Sequence, residues 1–172
     1  MTIALIGYRG TGKSTVGCLL AKRLGRRFID TDRLIESNRG QTIASIFAEG
    51  GEKLFRNCET EALASLEGHA EPLIIAGGGG LPLREENRKI LCRLAPGRIV
   101  LLTASPEVIA QRMTGDAQSA ETRPPLTKLS FYDEIKTVLE QRYPIYLALA
   151  DHTIVTEKKT PEKIVEEILS LL

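Results

Sequence analysis

Eight residues near the amino terminus constrain this chain more than any other feature of its sequence. Residues 7–14, Gly-Tyr-Arg-Gly-Thr-Gly-Lys-Ser, match the pattern G-x-x-x-x-G-K-[ST]. They stand between a short apolar run, Thr2–Ile6, and an amphipathic segment, Lys13–Leu24. Glycines allow backbone N–H groups to face an anion, and a helix amino terminus adds positive partial charge there. The motif therefore predicts a loop that binds nucleotide phosphates between the first strand and the first helix.

The loop motif assigns roles to individual residues, but it does not by itself identify a kinase. Lys13 is expected to reach the β- and γ-phosphates, and the Ser14 hydroxyl to bind Mg²⁺. GTPases and motor ATPases carry the same loop. However, the sequence has no N-K-x-D for reading guanine, and its third predicted strand ends on glycines rather than acids. The candidate ATP-phosphate ligands in the loop are Gly10, Thr11, Gly12, Lys13, Ser14 and Thr15.

The rest of the chain alternates short apolar runs with longer amphipathic segments. Apolar strands such as Leu73–Ala76 are typical of a parallel sheet covered on both faces. The pattern predicts an α/β protein of the P-loop NTPase type with five parallel strands flanked by helices. The other predicted strands are Arg27–Asp30, Arg98–Leu102 and His152–Val155. The predicted helices after the first are Thr42–Leu66 with an interruption at Gly50-Gly51, Arg84–Leu94, a helix opening at Pro106, Phe131–Leu149 with a kink or break at Pro144, and a closing helix from Pro161.

Length and composition narrow the class of protein. A chain of 172 residues favours a single domain, residues 1–172, and 42% hydrophobic with 26% charged residues is ordinary for a globular protein. A net charge of +1 and the absence of Trp argue against nucleic acid as a partner. The sequence has no apolar stretch long enough for a membrane span and no recognisable leader, so we expect no membrane partner and a cytoplasmic location, or a plastid one if a transit peptide was removed. Three scattered cysteines, expected to be reduced thiols, predict neither a zinc site nor a disulfide framework.

Two acids close the second predicted strand. Strand alternation would put Asp30 and Asp32 on the same side, at the sheet edge where ligands bind in open parallel sheets. A carboxylate there could hold an acceptor hydroxyl and take its proton. The alternative is that Asp32 caps a helix beside a solvated acid.

Three arginines are further candidates, although a single arginine is commonly a surface charge. Arg56 follows the glycine interruption, Arg142 precedes Pro144, and Arg123 ends a polar segment that begins at Thr114. A guanidinium presents two parallel N–H groups that suit carboxylates and phosphates. The segment from Thr114 to Thr122 is either an ordinary surface loop or a mobile lid.

Taken in order, these motifs resemble those of the shikimate kinase family over essentially the whole chain. Besides the phosphate loop and Asp-x-Asp, they are Phe-Arg-x-x-Glu at 55–59, three glycines after the third strand, Arg-Pro at 123–124 and Arg-x-Pro-x-Tyr at 142–146. The resemblance implies strand order 2-3-1-4-5, a substrate-binding segment at about 31–61 and a lid at about 113–126. It also implies transfer of the γ-phosphoryl group of ATP to the 3-hydroxyl of shikimate, with Mg²⁺. Members of the family are commonly monomers, so the resemblance implies a monomer.

The resemblance assigns a role to each candidate residue. Asp32 would bind the shikimate hydroxyls and accept the proton, while Arg56 and Arg142 would bind the carboxylate. Arg123 would approach the transferring phosphate, and Asp30 would hold Mg²⁺ through water. Gly77, Gly78 and Gly79 would contact shikimate through their backbone, and Arg112 and Lys159 would flank the nucleotide.

One departure from the family and two alternatives remain at this point. Pro125 stands where the family commonly has Leu, which would stiffen the end of the lid. The first alternative is another small-molecule P-loop kinase, such as a gluconate or nucleoside-monophosphate kinase. The second is a shikimate-kinase-like binding protein that has lost catalysis.

Overall fold

The structure is a computed structural model that describes residues 1–115 and 130–171 of the chain. Its five strands form one sheet in which every neighbouring pair is parallel, in the order β2-β3-β1-β4-β5. The predicted strand order and fold class are therefore confirmed. The strands are β1 (Ile3–Ile6), β2 (Arg27–Asp30), β3 (Leu73–Ala76), β4 (Ile99–Thr103) and β5 (His152–Val155).

Helices cover both faces of this sheet, as the apolar strands predict. Alternate residues of β1 point to opposite faces, so that Ala4 and Ile6 belong to one core cluster and Ile3 and Leu5 to the other. The helices are α1 (Lys13–Leu24), α2 (Thr31–Arg39), α3 (Ile43–Ala64), α4 (Glu85–Leu94), α5 (Pro106–Gly115), α6 (Phe131–Leu149) and α7 (Pro161–Leu171).

Helix α3 is bent at the predicted interruption. Gly51 has φ 64°, ψ −163°, and its neighbour Gly50 is also non-helical with φ −145°. The first half of α3 packs with α2 in a small cluster of its own that includes Ile35 and Ile46. Beyond this bend, α3 carries Arg56 and packs with α4 and with residues 81–83.

Two local predictions need correction. Helix α2 and a 3₁₀ turn at Leu81–Leu83 were not predicted, because both are short and α2 buries only Thr31 and Ile35. Helix α6 continues through Pro144 to Leu149, so the proline does not break it. A proline inside a helix removes one donor without necessarily ending it when the flanking turns are packed.

Three further observations concern the polar segment, the cysteines and the length of the apolar helices. Helix α5 extends to Gly115, past the predicted start of the polar segment at Thr114, and the rest of that segment lies outside the described residues. The three cysteines are free thiols. Among the helices of residues 1–115 and 130–171, none is long and apolar enough to cross a membrane.

Candidate active site

The phosphate loop lies between β1 and α1, as the motif predicts. Gly10 and Gly12 have φ of 76° and 93°, a region of backbone conformation that favours glycine. Gly7 approaches β4 so closely that a Cβ there would lie 2.2 Å from the carbonyl oxygen of Leu102. The turn therefore requires glycine at these three positions, and it delivers the loop to the amino terminus of α1.

Lys13 and Thr11 are held against the loop itself. The Nζ of Lys13 donates a hydrogen bond to the carbonyl oxygen of Tyr8 at 2.7 Å, and the hydroxyl of Thr11 donates to the same oxygen at 2.8 Å. Helix α1 has no acidic residue in its first turn, so no carboxylate there offsets the positive end of the helix. This combination of a lysine and a helix amino terminus suits the binding of an anion.

Ser14 and Asp30 form the next element of the site. The Ser14 hydroxyl donates to Oδ2 of Asp30 at 2.7 Å. The other carboxylate oxygen of Asp30 accepts from the backbone N–H of Asp32 at 3.0 Å and of Arg33 at 3.4 Å, so Asp30 caps α2. The interpretation of Asp32 as the N-cap is therefore wrong. Strand alternation also does not orient Asp32, because β2 ends at Asp30 and Asp32 lies in the first turn of α2.

Asp32 nevertheless faces the residues that follow β3, Gly77–Gly80, which we call the glycine segment. A Cβ on Gly78 would lie 2.7 Å from Oδ1 of Asp32 and 3.2 Å from Oε1 of Glu59. The backbone N–H of Gly78 donates to the hydroxyl of the buried Thr31 at 2.9 Å, which ties this segment to the start of α2. The carboxylate of Asp32 thus lies at the carboxyl end of the sheet, on the same edge as the phosphate loop.

Arg56 is nearly buried and carries its own carboxylate partners. Its Nη1 donates to Glu59 Oε2 at 2.7 Å, while Nη2 and Nε donate to Glu52 Oε1 at 2.8 Å and 3.1 Å. Glu59 is fully buried, whereas the side chain of Glu52 is 63% exposed. Burial acts to lower the pKa of Arg56, but the ion pairs with Glu59 and Glu52 outweigh burial and raise the pKa above its usual value. Arg56 therefore remains a cation, with its exposed partner on the solvent side.

Tyr146 links Arg56 and Arg142 to the glycine segment. Its hydroxyl donates to the carbonyl oxygen of Gly79 at 2.6 Å, and its side chain is fully buried. Burial raises the pKa of Tyr146 to about 12, opposed by the charge and hydrogen bond of Arg142 and by the charge of Arg56. Since both guanidinium groups act on this one phenol, the structure brings Arg56 and Arg142 to the same region of the molecule.

Comparison with known proteins identifies the family to which this site belongs. The family model for shikimate kinase matches residues 9–172. A shikimate kinase from Rhodopirellula baltica is 42% identical over 96% of this chain and 87% of its own length. Another from Syntrophus aciditrophicus is 43% identical over 97% of this chain and 88% of its own length. The chain belongs to the shikimate kinase family.

Solved structures of the family agree with this assignment. Shikimate kinase from Acinetobacter baumannii, solved in complex with shikimate, superposes with a TM-score of 0.88 at 35% identity, covering 99% of this chain and 91% of its own. Shikimate kinase from Aquifex aeolicus gives a TM-score of 0.82 at 36% identity, covering 99% and 95%. A gluconokinase from Sinorhizobium meliloti, at 20% identity and a TM-score of 0.60, shares the fold.

Four candidates remain: Arg112, Lys159, Arg123 and Thr15. Arg112 reaches the phosphate loop, because its Nη1 lies 3.4 Å from the carbonyl oxygen of Gly10 and 2.9 Å from the hydroxyl of Thr156. Lys159 pairs with Glu167 of α7 at 2.5 Å, and its part in nucleotide binding stays a prediction. Arg123 lies outside the described residues. Thr15 is exposed in the first turn of α1.

Reasoning from the sequence left three residues of this shikimate kinase site without a role. Glu59 and Tyr146 end the motifs at 55–59 and 142–146, so the motifs themselves indicated that these two residues matter. Glu59 also follows Arg56 by three residues, which is the spacing at which two charged side chains can pair on one face of a helix. Thr31, which binds the backbone of Gly78, stands between two aspartates and offered no signal of its own.

Proposed function

We propose that this chain transfers the γ-phosphoryl group of ATP to the 3-hydroxyl of shikimate, giving shikimate 3-phosphate and ADP. One observation supports the proposal most: in a chain of the shikimate kinase family, the Tyr146 hydroxyl that donates to Gly79 is subject to the charges of both Arg56 and Arg142. A small hydroxylated carboxylic acid needs cations for its carboxylate and a base for its hydroxyl. Arg56, Arg142 and Asp32 are the side chains that we propose for these two tasks.

On the nucleotide side, the loop amides and Lys13 would neutralise the phosphates of ATP. Lys13 already lies over the loop through its bond to Tyr8, so it needs only a short movement to reach an anion bound there. Arg112 would support the loop near the nucleotide through Gly10. Lys159 and Arg123 are proposed from the family resemblance to flank the nucleotide and to approach the transferring phosphate.

On the acceptor side, Asp32 would orient one hydroxyl and take its proton. A new bond forms between the 3-oxygen and the γ-phosphorus as the bond to the β-bridging oxygen breaks, and the hydroxyl proton passes to the carboxylate. Arg56 and Arg142 would bind the substrate carboxylate, with the backbone of Gly77–Gly79 alongside it. Positioning of this kind can account for about 7–11 kcal/mol of the barrier.

Ser14 and Asp30 fit the magnesium ion that ATP-dependent transfer generally needs. A hydroxyl and a carboxylate oxygen lie 2.7 Å apart beside the phosphate loop, and Mg²⁺ prefers oxygen ligands shared with phosphates and water. We propose Ser14 as a direct ligand and Asp30 as a ligand through water. When bound, Mg²⁺ would neutralise charge that develops on the β- and γ-phosphates.

An ADP-release assay with shikimate, gluconate and nucleoside monophosphates offered in turn tests this function. We expect ATP-dependent turnover with shikimate that exceeds turnover with the other acceptors by at least 100-fold, on the order of what a buried charged contact discriminates. Turnover with gluconate or a nucleotide alone would show another small-molecule kinase. Binding of shikimate and ATP without ADP release would show a binding protein.

A further inference from the structure

A nearly buried ion pair joins the phosphate loop to helix α6. Arg9 occupies a position that the loop motif leaves open, and its Nη2 donates to Oε1 of Glu134 at 2.6 Å. The side chain of Glu134 is only 4% exposed and that of Arg9 is 20% exposed. Pairs of this kind differ from surface ion pairs, because losing one partner removes a compensating charge from a group that is shielded from water.

The side chain of Arg9 is held in this direction by its surroundings. Its guanidinium carbon lies 5.6 Å from the centre of the buried Tyr8 ring, within the range of a cation–π contact. The backbone nitrogen of Arg9 would lie 3.4 Å from a Cβ built on Gly79. Arg9 therefore lies where the phosphate loop meets the glycine segment, with its charge directed at α6.

Helix α6 reaches the proposed acceptor site further along its length. It carries Arg142, and its Tyr146 bonds to Gly79. Glu134 and Tyr146 are separated by about 18 Å of helix at 1.5 Å per residue. The helix is thus attached to the site at two points, one on the phosphate loop and one on the glycine segment.

We propose that Arg9 is a positioning residue that, through Glu134, sets the place of α6 and its Arg142 relative to the phosphate loop. The inference rests on the proposed function, in which the loop holds the donor and Arg142 the acceptor. Phosphoryl transfer depends on an in-line approach of donor and acceptor, so a small displacement of α6 lowers the rate of the chemical step. A guanidinium–carboxylate pair fixes direction as well as distance, which an apolar contact at the same place does not.

The test separates positioning from stability by removing both charges together. Single variants R9M and E134Q should lower both the melting temperature and kcat, since each leaves an altered buried partner. The double variant R9M/E134M should recover the melting temperature of the wild type, because both charges of this pair are removed together. Its kcat with shikimate should nevertheless stay at least 10-fold below the wild type, with a raised KM for shikimate. The matched control is E85Q, which breaks the exposed Glu85–Lys89 pair and should leave both kcat and melting temperature unchanged.

Wild-type kcat in a stable R9M/E134M variant would overturn the inference and leave the ion pair a structural contact only. If the methionine pair does not fold, R9Q/E134Q replaces it with neutral polar side chains of similar length, and the same two outcomes apply. Failure of the proposed function would look different. In that case the wild-type protein itself would release no ADP when shikimate is added.

Discussion

The guanidinium of Arg56 lies directly against the backbone of Gly80. A Cβ built on Gly80 would lie 2.0 Å from Nη1 of Arg56 and 2.5 Å from its central carbon. Glu59 holds the same Nη1 at 2.7 Å, so Arg56 cannot move away from a new side chain without breaking a buried ion pair. The guanidinium of Arg56, which we propose binds the substrate carboxylate, therefore leaves no room for a side chain at position 80.

Substituting Gly80 with alanine tests this fit. We expect G80A to raise the KM for shikimate about 10-fold or more, consistent with a displaced charge-assisted hydrogen bond of about 1.5–3 kcal/mol. The KM for ATP should change less than 2-fold in the same assay, on the order of 0.4 kcal/mol, because the contact does not involve the phosphate loop. Steady-state kinetics with each substrate varied separately measures both values. An unchanged KM for shikimate in folded G80A protein would place the carboxylate elsewhere.

Removing each arginine in turn should separate binding from stability. We expect R142A and R56A both to raise the KM for shikimate by about 10- to 150-fold, the range for hydrogen bonds to charged groups. R56A should also lower the free energy of unfolding by roughly 3–5 kcal/mol, because Glu59 is fully buried and loses its nearest guanidinium. R142A should cost much less, since Arg142 is only half-buried.

Denaturant unfolding and kinetics on the same preparations measure these effects. R93A is the matched control, because Arg93 forms an ion pair with Glu67 in which its side chain is 58% exposed. Exposed pairs contribute about 0–1 kcal/mol, so R93A should alter neither KM nor stability appreciably. Equal losses of stability in R56A and R93A would contradict the role given to Glu59.

Asp32 should control the chemical step rather than the fold. We expect D32N to lower kcat by about 10²–10⁴, the usual contribution of a general base, while the melting temperature stays close to that of the wild type. K13A should reduce kcat at least as strongly, through loss of charge at the phosphates. Single-turnover measurements at saturating ATP and shikimate distinguish a slow chemical step from weak binding. Wild-type turnover by D32N would remove Asp32 from the mechanism.

Tyr146 predicts a specific dependence of stability on pH. Its pKa is raised from 10.0 to about 12 by burial, so the folded protein favours the protonated phenol. The contribution of this group to stability is complete below pH 10 and is lost as the pH rises through about 12. Two pKa units correspond to roughly 3 kcal/mol.

The variant Y146F isolates this effect. Below pH 10 it should be less stable than the wild type by about 1–3 kcal/mol, because the carbonyl oxygen of Gly79 loses its donor. Between pH 10 and 12 the wild type should lose stability faster than Y146F, and the difference should narrow. Y143F, which alters a half-buried tyrosine of the same helix, is the control. Parallel stability curves for the wild type and Y146F would contradict the account of Tyr146.

The sequence predicted those parts of the site that depend on local pattern. A phosphate loop needs glycines at fixed spacing, so the motif predicted the loop between β1 and α1, where the structure gives Gly10 and Gly12 a left-handed backbone. The interruption of α3 was likewise predicted from its two adjacent glycines, Gly50 and Gly51. Arg56 and Arg142 lie on helices α3 and α6 rather than at strand ends, so they were singled out by the family motifs and not by the strand pattern.

The errors and omissions concern contacts that no local pattern records. Helix α2 is mostly polar and buries only Thr31 and Ile35, so its start at Thr31 was missed and Asp30 was not recognised as its cap. The Arg9–Glu134 pair joins residues 125 positions apart, and a single sequence does not indicate which charges meet over that distance. The close approach of Gly80 to Arg56 likewise depends on how α3 packs with the adjacent 3₁₀ turn at Leu81–Leu83, which composition and periodicity do not specify.

The most direct test of the account is the identity of the product. Purified protein is incubated with ATP, Mg²⁺ and shikimate, and the product is examined by phosphorus and proton NMR. The account predicts one phosphate ester, with phosphorus coupled to the proton on carbon 3 of the shikimate ring, formed in proportion to the ADP released. Release of ADP without such an ester, or an ester on another hydroxyl, would contradict the orientation assigned to Asp32, Arg56 and Arg142.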